Sequence, residues 1–233
     1  MSEIQVSATA TTDHAADPLY VGAYGFKPSW RGRLHQIAFY VALPAGLWLL
    51  AGATTTVARI GVAIYWASLA GLFAASSSYH LYATSERAVK WMRRIDHSMI
   101  FVLIAGTFTP FGLVVLPPAW GIPMLVVMWA TALAGILMKM IRISVEDSKS
   151  GSWLYAVLGW SAVIALPKLL AELGAARTML LIIGGVLYTV GAVNFGRKFP
   201  RRHSPVFGYH EIWHAFTIAA CACHFALVAM VTH

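Results

Sequence analysis

Apolar residues dominate long, unbroken stretches of the chain, and the polar residues between them come in short clusters. Seven apolar runs stand out, at about 34–53, 58–82, 96–116, 120–139, 153–171, 178–196 and 212–231. Each is close to the roughly 20 residues that an α-helix needs to cross a bilayer. None alternates in polarity over about ten residues, as the strands of a membrane β-barrel do. The pattern therefore predicts an all-α protein, a seven-transmembrane helix bundle over 26–233 with no separate soluble domain. Residues 1–25 are small, polar and slightly acidic. They lack the basic start and apolar core of a signal peptide, so they are expected to be a disordered cytoplasmic tail. Pro44, Pro110 and Pro167 stand inside predicted helices and are expected to kink them.

Composition supports the pattern, and charge gives it a direction. Of 233 residues 59% are hydrophobic and 11% charged, where a soluble domain carries about 25% charged residues. Fourteen of the seventeen lysines and arginines fall on one side of the predicted bundle. They are Lys27, Arg31 and Arg33 before the first run; Arg87, Lys90, Arg93 and Arg94 between the second and third; Lys139, Arg142 and Lys149 after the fourth; and Arg197, Lys198, Arg201 and Arg202 after the sixth. Only Arg59, Lys168 and Arg177 fall on the other. The positive-inside rule then puts the N-terminus in the cytoplasm and the C-terminus outside. The net charge of +8 is thus an orientation signal with some attraction to anionic lipid. No nucleic acid is expected as a partner, because no aromatic-interleaved basic surface is visible. Cys221 and Cys223 are two apart in the last run and point to different helix faces, so no disulfide framework is implied.

Ionisable groups inside membrane helices are expensive and are functional suspects by default. Here they are Ser76 and His80 in SSSYH, Asp96 and His97 in RRIDHS, then His210, Glu211, His214 and His224, with His35 opening the first helix in RGRLHQ. With the predicted topology, His80, Asp96, His210 and His214 all come to the cytoplasmic end of the bundle. His210 and His214 are i, i+4 and share a face, as do Ser76 and His80. Two histidines from one helix and a third from another leave an open position, the arrangement of catalytic zinc. Asp96 would then hydrogen-bond a water in that position or act as its base. Simpler explanations exist for each residue alone. Interfacial histidines are common at helix ends, Asp96 can complement a helix N-terminus, and Ser76 can bond its own helix backbone.

SSSYH, RRIDHS and the block FGYHEIWHAF resemble the hemolysin III family of bacterial membrane proteins. That family groups with the progestin and adipoQ receptors, adiponectin receptors among them, and more distantly with alkaline ceramidases. The likeness covers essentially all of 25–233. It implies a seven-helix protein of the bacterial inner membrane, with zinc near the cytoplasmic surface bound by three histidines and a water. His80, His210 and His214 match the ligands, Ser76 the serine of the helix-two motif, and Asp96 the aspartate facing the water. RGRLHQ also looks like the family's N-terminal motif, with no metal role for His35. His224 is expected to face the bundle interior as a satisfied histidine.

His210, Glu211 and His214 also spell H-E-x-x-H, the zinc helix of metalloproteases. The third ligand on another helix argues against a peptidase, as does the lack of a later Asp-Gly-containing helix. Receptor relatives that carry Gln at the position of Glu211 argue the same way. No lysine follows Lys198, which excludes a retinal Schiff base in the last helix. The expected function is a zinc-dependent intramembrane hydrolase of lipid amide or ester bonds, ceramidase-like, with Asp96 and Ser76 as catalytic residues and membrane lipids as substrate. The alternative is a non-catalytic membrane sensor or lipid-homeostasis protein stabilised by zinc. A pore-forming cytolysin, as the family's name implies, ranks third, since no run carries the continuous polar stripe of a water-filled lumen.

Overall fold

The computed structural model describes residues 27–142, 153–200 and 204–233. The tail expected over 1–25, and Lys149, Arg201 and Arg202 among the basic residues, lie outside the described residues. The elements are α1 (Arg33–Gly52), α2 (Thr56–Tyr82), α3 (Glu86–Pro110), α4 (Pro118–Arg142), α5 (Trp153–Ser161), α6 (Leu166–Leu173), α7 (Ala175–Gly196) and α8 (Tyr209–Thr232). A wide π-helical turn, Phe111–Val115, extends α3, and a tight 3-10 turn, Ala162–Ala165, joins α5 to α6 as one span. Seven helical spans are long and apolar enough to cross a membrane, and no strand occurs among the described residues.

One boundary departs from the apolar pattern. The third span begins at Glu86, ten residues before its apolar run, so Arg87, Lys90, Arg93 and Arg94 lie on helix. Ser85 caps this start, its hydroxyl accepting from the Ala88 N–H at 3.2 Å. Lysine and arginine are good helix formers, and Arg94 lies over the Trp91 ring at 5.0 Å. Apolarity marks where a helix enters lipid, while capping marks where it begins. Two of these prolines sit where a helix changes: Pro110 ends α3 at the wide turn, and Pro167 opens α6 after the tight one. Pro44 lies inside α1.

The third span forms the centre of the bundle. α3 packs against α2, α4, α5 and α8, and 56% of its most apolar window is buried, against 11% for the sixth span. Phe101, Ala105, Phe108 and Phe111 meet Tyr65, Leu69 and Leu72 in the core. Glycines let α2 and α3 approach: a Cβ on Gly61 would stand 3.1 Å from Pro110 Cα, and one on Gly106 would collide with Ser68. Without a hydrophobic driving force between helices in lipid, such close packing carries the association.

α8 closes the bundle against α7, α1 and α2. Its buried residues Glu211, His214, Thr217, Cys221, His224, Val228 and Thr232 recur every three or four positions, one inward stripe. The chain is tied at both ends of α8. At one end the Ser29 N–H donates to the Pro205 carbonyl at 2.9 Å, and that of Trp30 to Val206 at 3.2 Å. At the other, the Thr54 N–H donates to the Thr232 carbonyl at 3.1 Å. The start of α1, the end of α2 and the start of α8 thus share one end of the bundle.

Candidate metal centre

At that shared end three histidines meet. His80, two residues before the end of α2, and His210 and His214, in the first turns of α8, each offer one nitrogen within 4.8 Å of the others. The Nε2 atoms of His80 and His210 are 3.1 Å apart. Two imidazoles bound tetrahedrally to a first-row divalent ion at ~2.0–2.1 Å would place their nitrogens about 3.3 Å apart. The rings are buried or half-buried, and the group contains no thiolate or carboxylate. The donor chemistry and spacing therefore fit a divalent metal at three nitrogens, with room in a tetrahedral sphere for one more ligand.

Local geometry explains how α1 supports this group. Gly32 precedes α1 in the left-handed region at φ 83°, and a Cβ there would stand 2.7 Å from the His80 Cβ. Only glycine combines that backbone with that approach. Three residues later, His35 turns inward and is buried (3% exposed). Its ring stacks on His214 with centroids 3.8 Å apart and planes 11° from parallel. Phe73 lies 5.1 Å from the His35 ring. The apolar and polar pattern had marked His35 only as a polar residue opening a helix, and nothing in spacing along the chain pairs positions 35 and 214.

Ser76 and Asp96 form a second group. Ser76 lies on α2 one turn, about 6 Å, deeper than His80, and is buried. Its side chain interacts with that of Asp96, from α2 to α3. The Asp96 side chain remains 14% exposed. His97, next to it, turns its Nδ1 to the Arg93 carbonyl at 2.9 Å, and the Tyr155 hydroxyl donates to the His97 carbonyl at 3.0 Å.

Glu211, the acidic residue of HEIWH, is fully buried (0% exposed) and occupied on both oxygens. Oε2 accepts from the Gly208 N–H at 2.7 Å, which caps the start of α8. Oε1 is ion-paired with Arg31 Nε. Arg31, one of the basic residues of the expected cytoplasmic side, thus serves as a structural partner, and so does Lys139, which is buried with its Nζ 5.1 Å over the Tyr155 ring. Lys27 is half-buried, and burial together with the Arg31 charge holds its ammonium below the usual lysine range. His224 lies deeper on the α8 stripe, its Nε2 3.3 Å from the Leu181 carbonyl, and faces the bundle interior.

Comparison with known proteins agrees with this architecture. The family model described as "Haemolysin-III related" matches residues 24–225. A "Hemolysin-3 homolog" of Bacillus subtilis (strain 168) is 33% identical over 198 residues, covering 83% of this chain and 89% of the relative. A "Hemolysin-3" of Bacillus cereus is 31% identical over 198 residues, covering 83% of this chain and 86% of the relative.

Proposed function

Given that this chain belongs to the haemolysin-III-related family of membrane proteins, we propose that it is a zinc-dependent intramembrane hydrolase of lipid amide or ester bonds. The observation that carries this reading is the three-nitrogen group His80, His210 and His214, incomplete for a tetrahedral ion and one helical turn from the Ser76–Asp96 pair. A zinc ion held by these three residues would supply Lewis acidity and bring the pKa of a bound water to about 7.

The remaining chemistry belongs to the chain. Asp96 takes the proton from the attacking water at a carboxylate oxygen and returns it to the departing amine or alcohol, while the new C–O bond replaces the C–N or ester C–O bond. Ser76, against Asp96, holds that carboxyl in place. The lipid tails stay in the bilayer while the scissile group reaches the bundle end. Glu211, spent on a helix cap and an ion pair, has no free oxygen with which to act as a protease base. The basic residues clustered between the apolar runs support a cytoplasmic position for this end, with the C-terminus outside.

The test is turnover of a ceramide-like or acyl-amide lipid by purified, zinc-loaded protein in detergent. Asp96→Ala is expected to lower the rate by about a hundredfold or more while zinc stays bound. Equal rates for wild type and Asp96→Ala would remove the enzyme reading. A second reading, a zinc-stapled membrane protein without turnover, is favoured by the ties that converge on the same end: Arg31 to Glu211, Ser29 to Pro205 and Trp30 to Val206. It expects zinc to bind with no lipid hydrolysed by either protein. The names of the relatives suggest lysis, which would appear as large unitary conductance in reconstituted liposomes.

A further inference from the structure

His35 lies against the metal group but is outside it. It sits three residues into α1, stacked on His214 and 5.1 Å from the Phe73 ring. The Nδ1 of His214 is buried and without a hydrogen-bond partner among the described residues. With Nε2 as the ligand atom, that is unusual for a metal-ligating histidine. Such a residue almost always donates its second N–H to a carboxylate, carbonyl or water, which fixes the plane of the ring. His80 and His210 meet each other edge-on, with planes 86° apart, whereas His214 lies flat against His35 with planes 11° apart. Something must still hold the His214 ring, because a ligand free to swing about its side-chain torsion loses affinity for the ion.

We propose that His35 is the positioning residue for His214: its ring face, stacked on the ligand, sets the plane of that imidazole in place of the missing hydrogen bond. The inference rests on the metal-site reading. A flat face stacked at 3.8 Å leaves the His214 ring one plane to occupy. This gives the RGRLHQ segment two roles at the site. Gly32 clears space beside His80, and His35 orients His214, so the start of α1 supports a ligand on each of the two helices that supply them.

Three forms of the full-length protein in detergent test this: wild type, His35→Phe and His35→Leu. Zinc affinity is measured by competition with a chromophoric chelator, and geometry by the absorption bands of the cobalt-substituted site. Phenylalanine keeps a flat face and no nitrogen; leucine keeps bulk and no face. His35→Phe is expected to stay within about threefold of wild type, and His35→Leu to lose about ten- to a hundredfold in affinity with shifted, weaker cobalt bands. The melting temperatures of the metal-free forms show whether the leucine variant is folded. Should that variant be unfolded, rescue of affinity and cobalt bands by phenylalanine still decides the question. Leucine binding like wild type would overturn the inference while leaving the metal site standing. Phenylalanine losing as much as leucine would also overturn it, by showing that a nitrogen and not the ring face is needed. Wild type that binds no zinc would remove the metal reading and this inference together.

Discussion

Glu211 shows how much a short motif depends on where its side chains go. In HEIWH it stands where a protease would keep its general base, yet here it caps α8 through the Gly208 N–H and pairs with Arg31. Both oxygens are engaged and the side chain is fully buried. Glu211→Gln keeps an oxygen for the Gly208 N–H and gives up the charge facing Arg31. It is expected to lower stability by roughly 1–3 kcal/mol, the scale of a lost charged hydrogen bond, seen as a lower melting temperature. Zinc per chain should not change, and any lipid hydrolysis should stay within about threefold. A catalytic base would instead cost about a hundredfold or more on the same substitution. Loss of activity without loss of stability would return Glu211 to the chemistry.

At the scale of elements, what the sequence made legible follows what each physical signal reports. The apolar runs located every span because burial in lipid demands about 20 apolar residues in a row. They missed the first ten residues of the third span, where a Ser85 cap and good helix formers build a helix outside the apolar stretch. His210 and His214 were readable as a pair because i, i+4 spacing is geometry within one helix. Their meeting with His80 needed the topology as well, and alternating short connections supplied it. The His35 stack was not readable, because a contact between the first and last helices leaves no trace in local spacing. Close helix approach is equally silent, although small residues hint at it. Gly106 faces Ser68 where α3 crosses α2, and any Cβ there collides with the serine side chain. Gly106→Ala is therefore expected to push the central pair of helices apart and cost about 1–3 kcal/mol, measured as an earlier unfolding transition. Unchanged stability would mean that α2 and α3 are not packed at this distance.

In the whole molecule the first and last helices pack together, and the candidate metal centre lies at the end of the bundle where α1, α2 and α8 meet. His80 belongs to the N-terminal half of the chain, and His210 and His214 to its last helix. One ion at these nitrogens would cross-link segments 130 residues apart, beside the Arg31–Glu211 pair that ties the segment before α1 to α8. An ion that binds the folded state and not the unfolded chain stabilises it through linkage. Purified protein is expected to carry about one zinc per chain, and chelation should lower its melting temperature. His80→Ala, His210→Ala and His214→Ala should each lose most of the metal, because two imidazoles hold zinc weakly. His224→Ala and His97→Ala should keep it. The first of these side chains is turned to the Leu181 carbonyl and the second to that of Arg93, and neither belongs to the three-nitrogen group. Metal analysis of the purified variants reads all five at once. Full zinc in His80→Ala would take α2 out of the site, and with it the metal's link between the two halves of the chain.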